Sequence, residues 1–188
     1  MTTAATSGQM LPALARDAIG AALGRSVAAP GEVTEWMREP GAVFVTLKLD
    51  GNLRGCVGTL ECHRPLIDDL EANARAAAFD DPRFPPLTGE EFDRVQVEVS
   101  VLGPLEPIPF VDEADAVARL NPGRDGVLLR FGHQRGTFLP QVWEQLPEPA
   151  AFMAALKTKA GLPAGFWDPE IRLYRYRVDK FPQGEKGP

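Results

Sequence analysis

Residues 94 to 102 read RVQVEVSVL, and no other stretch of the chain restricts its fold as tightly. Val95, Val97, Val99 and Val101 fall on one side and Gln96, Glu98, Ser100 and Leu102 on the other, the period of two that belongs to a strand. A β-branched face means packing against a core, and a polar face means that the other side stays partly wet. Antiparallel sheets allow that division, whereas parallel sheets are covered on both faces. The rest of the chain must therefore supply antiparallel partners for this strand and helices for its valine face.

Residues 42 to 49, AVFVTLKL, read as one such partner and end at the turn signal Asp50-Gly51-Asn52. The strand returning over 53 to 60 has two registers. A two-residue loop would set Arg54 and Cys56 beside Val45, Leu47 and Leu49. A three-residue loop instead aligns Leu53, Gly55 and Val57 with that apolar face and leaves Arg54, Cys56 and Gly58 beside Thr46 and Lys48. The three-residue loop is the expectation, because it keeps Arg54 out of the core. GVLLRF (126–131), Thr137 to Leu139 after a tight connection from Gly132 to Gly136, and IRLYRYRV (171–178) complete the strands.

Helical spacing is as plain. Leu11, Leu14, Ala15, Ala18, Ile19, Ala22 and Leu23 form a stripe between Met10 and Val27, and Leu66, Ile67, Leu70, Ala74 and Ala77 form another from Pro65 to Phe79. Thr88 and Glu91 match a capping box that opens a short helix. DEADAVARL (112–120), Pro140 to Gln145 and Pro149 to Ala160 read as further helices, the last with Lys157 and Lys159 in its final turn and Gly161 as its C-cap. DDPRFPPL (80–87) is neither helix nor central strand. Strands and helices mix without a βαβ rhythm, so the fold class is α+β, a mainly antiparallel sheet flanked by helices.

With 188 residues there is enough chain for a self-sufficient core. The net charge of −6 argues against a nucleic-acid partner, since binding to phosphates needs clustered Lys and Arg. No apolar run approaches the roughly 20 residues of a membrane span, and MTTAATSGQM has no signal-peptide pattern, so a cytoplasmic protein without membrane association is expected. Two cysteines, Cys56 and Cys62, and two histidines, His63 and His133, fit neither a disulfide scaffold nor the paired short spacings of a metal site. No metal and no cofactor are expected.

Six stretches occur in order: LRGCVGTLE, DPRFPPLT, VEVSVLGPLEPI, DGVLLRF, RGTFLPQVWEQLP and LKTKAGLP. Together they closely resemble the AMMECR1 domain family, in particular its bacterial members of the AmmeMemoRadiSam system. The resemblance runs over residues 10 to 180, as one domain, with 1–9 and 181–188 as flexible termini. It implies an α+β fold with a smaller appended subdomain, and the family's hexapeptide falls on Arg54-Gly55-Cys56-Val57-Gly58-Thr59. It implies partners rather than a reaction: a Memo-like protein and a radical SAM enzyme. The chain has no CxxxCxxC of its own, so it is not the cluster-bearing catalyst.

Within that frame Cys56 is either a nucleophile, with Arg54 lowering its pKa, or a small hydrophobe in a tight place. Gly55, Gly58 and Thr59 accompany it. Glu98 and Ser100, on the polar face of their strand, share a site with Arg54 and Cys56 if the strands are neighbours; otherwise they form a solvated polar face, or Glu98 makes a structural salt bridge with Arg54. Arg135 and Thr137 are candidates to hold a small anion, with Arg83 either adding to them or bracing its loop. His133 is a candidate general base or an exposed turn residue. Phe138, Trp143, Phe152 and Trp167 read as core aromatics. Two functions follow: a binding or substrate-presenting module, or an enzyme that uses Cys56 on a small anionic or electrophilic substrate.

Overall fold

A computed structural model of the protein describes residues 8–26 and 33–183. The chain divides into two compact units, one made of residues 1–102 with 179–188 and the other of 103–178. Both are antiparallel sheets with helices, the α+β class expected of the alternation.

In the first unit, helix α1 (Leu11–Ala22) is followed by a 3-10 turn (Glu35–Arg38) and the hairpin strands β1 (Ala42–Leu49) and β2 (Asn52–Gly58). Helix α2 (Leu66–Phe79), helix α3 (Gly89–Arg94) and strand β3 (Gln96–Leu102) come next. The valine stripe of β3 does what its pattern requires, since Val97 and Val99 are buried against the same core as Val43, Val45 and Leu47 of β1. Leu11, Ala15 and Ile19 of α1 and Leu70, Ala74 and Ala77 of α2 close that core. The capping box of α3 is present in both halves: Thr88 Oγ1 accepts from the Glu91 amide and Glu91 Oε2 accepts from the Thr88 amide.

The second unit begins with a two-residue strand, β4 (Glu106–Pro107), and a short helix, α4 (Glu113–Ala118), capped by Asp112. Strands β5 (Gly126–Phe131) and β6 (Gln134–Phe138), a 3-10 turn (Pro140–Glu144), helix α5 (Pro149–Lys159) and strand β7 (Arg172–Tyr176) complete it, in the sheet order β4-β7-β5-β6. Its core is aromatic as expected: Trp143 stacks on Phe152 at 3.7 Å between ring centroids, and Phe138 meets Phe152 edge-on. Gly161 caps α5 with φ +83°.

The chain then returns to the first unit as β8 (Val178–Pro182), which lies next to β3 in the order β2-β1-β3-β8. Two expectations change here. The stretch 171–178 is not one strand but the end of one and the start of another. Residues 181–183, expected to be flexible, extend the first sheet: the Gln183 amide donates to the Val97 carbonyl, and Val97 returns a bond to Gln183 Oε1. Gly8, in the other expected tail, packs on the Phe181 ring. The remainder of those tails, residues 1–7 and 184–188, and the expected end of α1 at Val27 lie outside the described residues.

The turn after β1 is also corrected. Leu49 pairs with Asn52, so the loop has two residues, Asp50 and Gly51, both at positive φ (51° and 80°) as a type I′ turn requires. Arg54 is nevertheless kept from a position opposite β1's buried side chains, because no residue of β1 pairs with it in the ladder. Lys48 pairs with Leu53 and Leu47 with Gly55, and the bulge at Arg54 shifts the register by one. Beyond it the pairs are Leu47↔Gly55, Thr46↔Cys56 and Val45↔Val57, the ones a three-residue loop would have produced.

Candidate functional site

The bulge decides what each residue of RGCVGT can do. Arg54 and Gly55 both lie on the helix-bearing side of β2. Arg54 is 7% exposed; its Nε and Nη2 bond the two carboxylate oxygens of Glu91 at 2.8 and 3.0 Å, and Nη2 also reaches the Pro85 carbonyl. The Arg54 guanidinium and the Thr88 amide pull the Glu91 carboxyl down to about 2. Gly55 lies directly under the Ala77 carbonyl near the end of α2, where a Cβ would strike that oxygen. Gly58 leaves room for the Phe44 ring. Thr59 donates to Asp69 Oδ1, and the fully buried Asp69 also accepts from Arg64, Asn73 and the Val43 amide.

Cys56 is held by its main chain. β2 is an edge strand, and edges invite unwanted pairing. Here the loop of prolines closes it: Asp81 Oδ2 accepts from the Cys56 amide at 2.9 Å, and Arg83 Nη2 donates to the Cys56 carbonyl at 3.2 Å. Arg83 and Asp81 also bond each other at 2.7 and 2.9 Å. That pairing holds the Asp81 carboxyl far below its ordinary range, with help from the Cys56 amide, and raises the Arg83 guanidinium. Arg83 thus bonds both its own loop and the edge of β2.

The cysteine side chain faces away from the helices, in a row that crosses three strands. Cys56 is opposite Thr46, and Thr46 is opposite Glu98. The Thr46 hydroxyl donates to Cys56 Sγ at 3.5 Å, and Lys48 Nζ bonds Glu98 Oε2 at 3.3 Å. Arg54 therefore does not share a face with Cys56 or Glu98. Its carboxylate is Glu91, and the guanidinium that reaches Cys56 is that of Arg83, which bonds the Cys56 carbonyl. Ser100 belongs to the same face one pair along, opposite Phe44, but is buried.

Arg135 and Thr137 belong to the second unit. The turn there is Gly132-His133, so both residues are within β6 rather than in a turn. Thr137 is buried, donates to the Val127 carbonyl and exchanges a bond with the Tyr176 hydroxyl, which leaves its hydroxyl nothing to offer an anion. Burial pushes the Tyr176 phenol up to about 12. Arg135 is exposed, opposite Arg130. His133 is an exposed turn residue, and no cluster of metal-ligating side chains occurs among the described residues.

Sequence reasoning gave no site role to Asp81, Glu91, Asp69 or Thr46. Glu91 had a signal, since a capping-box glutamate has a second oxygen free for a cation. Asp81 had a weaker one, an acid two residues before an arginine in a proline-rich loop. Asp69 had none beyond its place on α2.

An α+β chain whose edge strand carries RGCVGT under a proline loop belongs to a definite class. Residues 12–181 match the AMMECR1 family model, and the chain belongs to that family. It is 42% identical over 178 residues to a protein of Methanothermobacter thermautotrophicus, covering 93% of each, and 38% identical to one of Thermotoga maritima, covering 78% of this chain and 80% of that one. The uncharacterized protein PH0010 from Pyrococcus horikoshii has a similar structure, with a TM-score of 0.85, 35% identity, and 96% of this chain and 94% of that one covered.

Proposed function

We propose that this protein is a cytoplasmic binding or substrate-presenting module that works with a Memo-like protein and a radical SAM enzyme, not a cysteine hydrolase or transferase. The observation that carries the reading is how RGCVGT is spent. Arg54, Gly55, Gly58, Thr59 and the main chain of Cys56 all hold β2 to its surroundings. The thiol has a hydroxyl donor in Thr46 and, among the described residues, no histidine or carboxylate bonded to it to take its proton. A nucleophile needs such a base and a group to orient it. The residues that remain for recognition are Cys56, Thr46 and Glu98 in their row, with Arg83 at the edge. In keeping with a role off the membrane, no helix among the described residues is long and apolar enough to cross one.

Iodoacetamide labelling across pH, read by mass spectrometry with the exposed Cys62 as internal comparison, tests the reading together with co-purification of the Memo-like and radical SAM proteins of the same genome. The module predicts that Cys56 labels no faster than Cys62, that Cys56→Ser keeps the partners, and that Glu98→Lys releases them. A Cys56 that labels faster than Cys62 below neutral pH, and slows in Arg83→Ala, would establish the enzyme instead.

A further inference from the structure

The second unit holds a groove that none of this uses. It has a volume of about 240 Å³, lies where β4 meets β7, and its lining includes Pro107, Pro109, Phe110, Pro169, Arg172 and Tyr174. Its aromatic side chains are fixed: Phe110 packs edge-on to Trp167 at 5.3 Å, and the Arg130 guanidinium lies over the Tyr174 ring at 5.1 Å. Arg172 is fixed too. Its Nη1 donates to the Pro169 and Ile171 carbonyls at 2.9 and 3.1 Å, which steadies the fork, and among the described residues no carboxylate pairs with it. Nε and Nη2 remain as donors, a geometry that suits a carboxylate.

We infer that this groove binds a small organic acid, a carboxylate on an aromatic or branched apolar body, with the carboxylate on Arg172 and the body between Phe110, Tyr174 and the prolines. Size supports a small ligand, because the volume falls below the roughly 300 to 1,000 Å³ of drug-sized sites. An extended peptide is disfavoured by the strand edge itself. Pro107 and Pro109 have no amide hydrogen, and the Ile108 amide already donates to the Leu173 carbonyl, so no ladder of donors is presented.

The test is an NMR titration of the full chain with phenylacetate, and with phenylacetamide, which has the same shape and no charge. Saturable shifts are expected at the amides of Phe110, Arg172 and Tyr174 with the acid, and about tenfold or more weaker binding with the amide or in Arg172→Gln. Equal binding of acid and amide, or no saturable shift at these residues, would overturn the inference. That comparison uses the unaltered protein, so it decides the matter even if Arg172→Gln does not fold. A short peptide ending in phenylalanine should bind more weakly than phenylacetate; tighter binding would reassign the groove to a chain terminus.

Discussion

The two hairpins carry the same dipeptide early in their returning strands, one residue later in β2 than in β6, and use it in opposite ways. Arg54-Gly55 in β2 and Arg135-Gly136 in β6 each follow a two-residue turn, and each glycine lies under backbone at the end of a helix, Gly55 against Ala77 of α2 and Gly136 against Ala160 after α5. In β6 the register is regular, so Arg135 and Gly136 point to opposite faces and the arginine is exposed. In β2 the bulge turns Arg54 to the same side as Gly55, and the arginine is buried on Glu91. One unpaired residue converts a surface cation into a structural clamp.

The largest effect expected from breaking this comparison is at the glycines. Gly55→Ala should cost about 3 kcal/mol or more, or prevent folding, because the clash is with a carbonyl that a helix holds in place. Gly136→Ala, whose Cβ would come within 2.8 Å of the Ala160 nitrogen at a helix end, should cost about 1–3 kcal/mol. Urea unfolding of the two variants measures the difference, and equal costs would show that the bulge plays no part in it.

Next come the arginines. Arg54→Met leaves Glu91 without its cation and should destabilise by about 2 kcal/mol, below the roughly 3–5 kcal/mol of a fully buried pair because the Glu91 side chain is 26% exposed. Arg135→Met should cost about 1 kcal/mol or less. A double-mutant cycle of Arg54→Met with Glu91→Gln should show strong coupling; additive losses would separate the pair.

Acid should expose the same clamp. The Glu91 pKa is lowered from 4.5 to about 2 in the folded protein, so its contribution is fully present above 4.5 and is lost as pH falls towards about 2. Asp81, also lowered, acts in the same direction. The acid limb of stability should therefore be shallower in Glu91→Gln than in the unaltered protein. The smallest effect is expected at the thiol: Cys56→Ser, half-buried and held through its main chain, should change stability by about 1 kcal/mol or less.

Much of this molecule is local and therefore readable in one dimension. The alternation of Val95 to Val101, the stripes of α1 and α2, the Thr88–Glu91 box and the Gly161 cap were legible because each depends on neighbours within a few residues. The α+β class followed from them, and so did the family, because its motifs are contiguous. The site was less legible. That Cys56, Thr46 and Glu98 form a row depended on the register beyond the turn, and the pairing came out right although the loop did not, because an extra residue in the turn and an extra residue in a bulge shift the pairing equally.

Tertiary structure alone chose between those two. Asp50-Gly51 can adopt the tighter turn with both residues at positive φ, and the extra residue then has to leave the ladder where it finds another partner, which Arg54 does 37 residues away in Glu91. The same holds for Asp81 and Arg83 on the free edge of Cys56, and for Lys157, which the helical pattern puts in the last turn of α5 and which is buried at 1% exposure on Glu113. Periodicity reports the direction in which a side chain leaves the backbone. It carries no information about which distant charge will meet it, and burying a cation is tolerable only once that charge is in place.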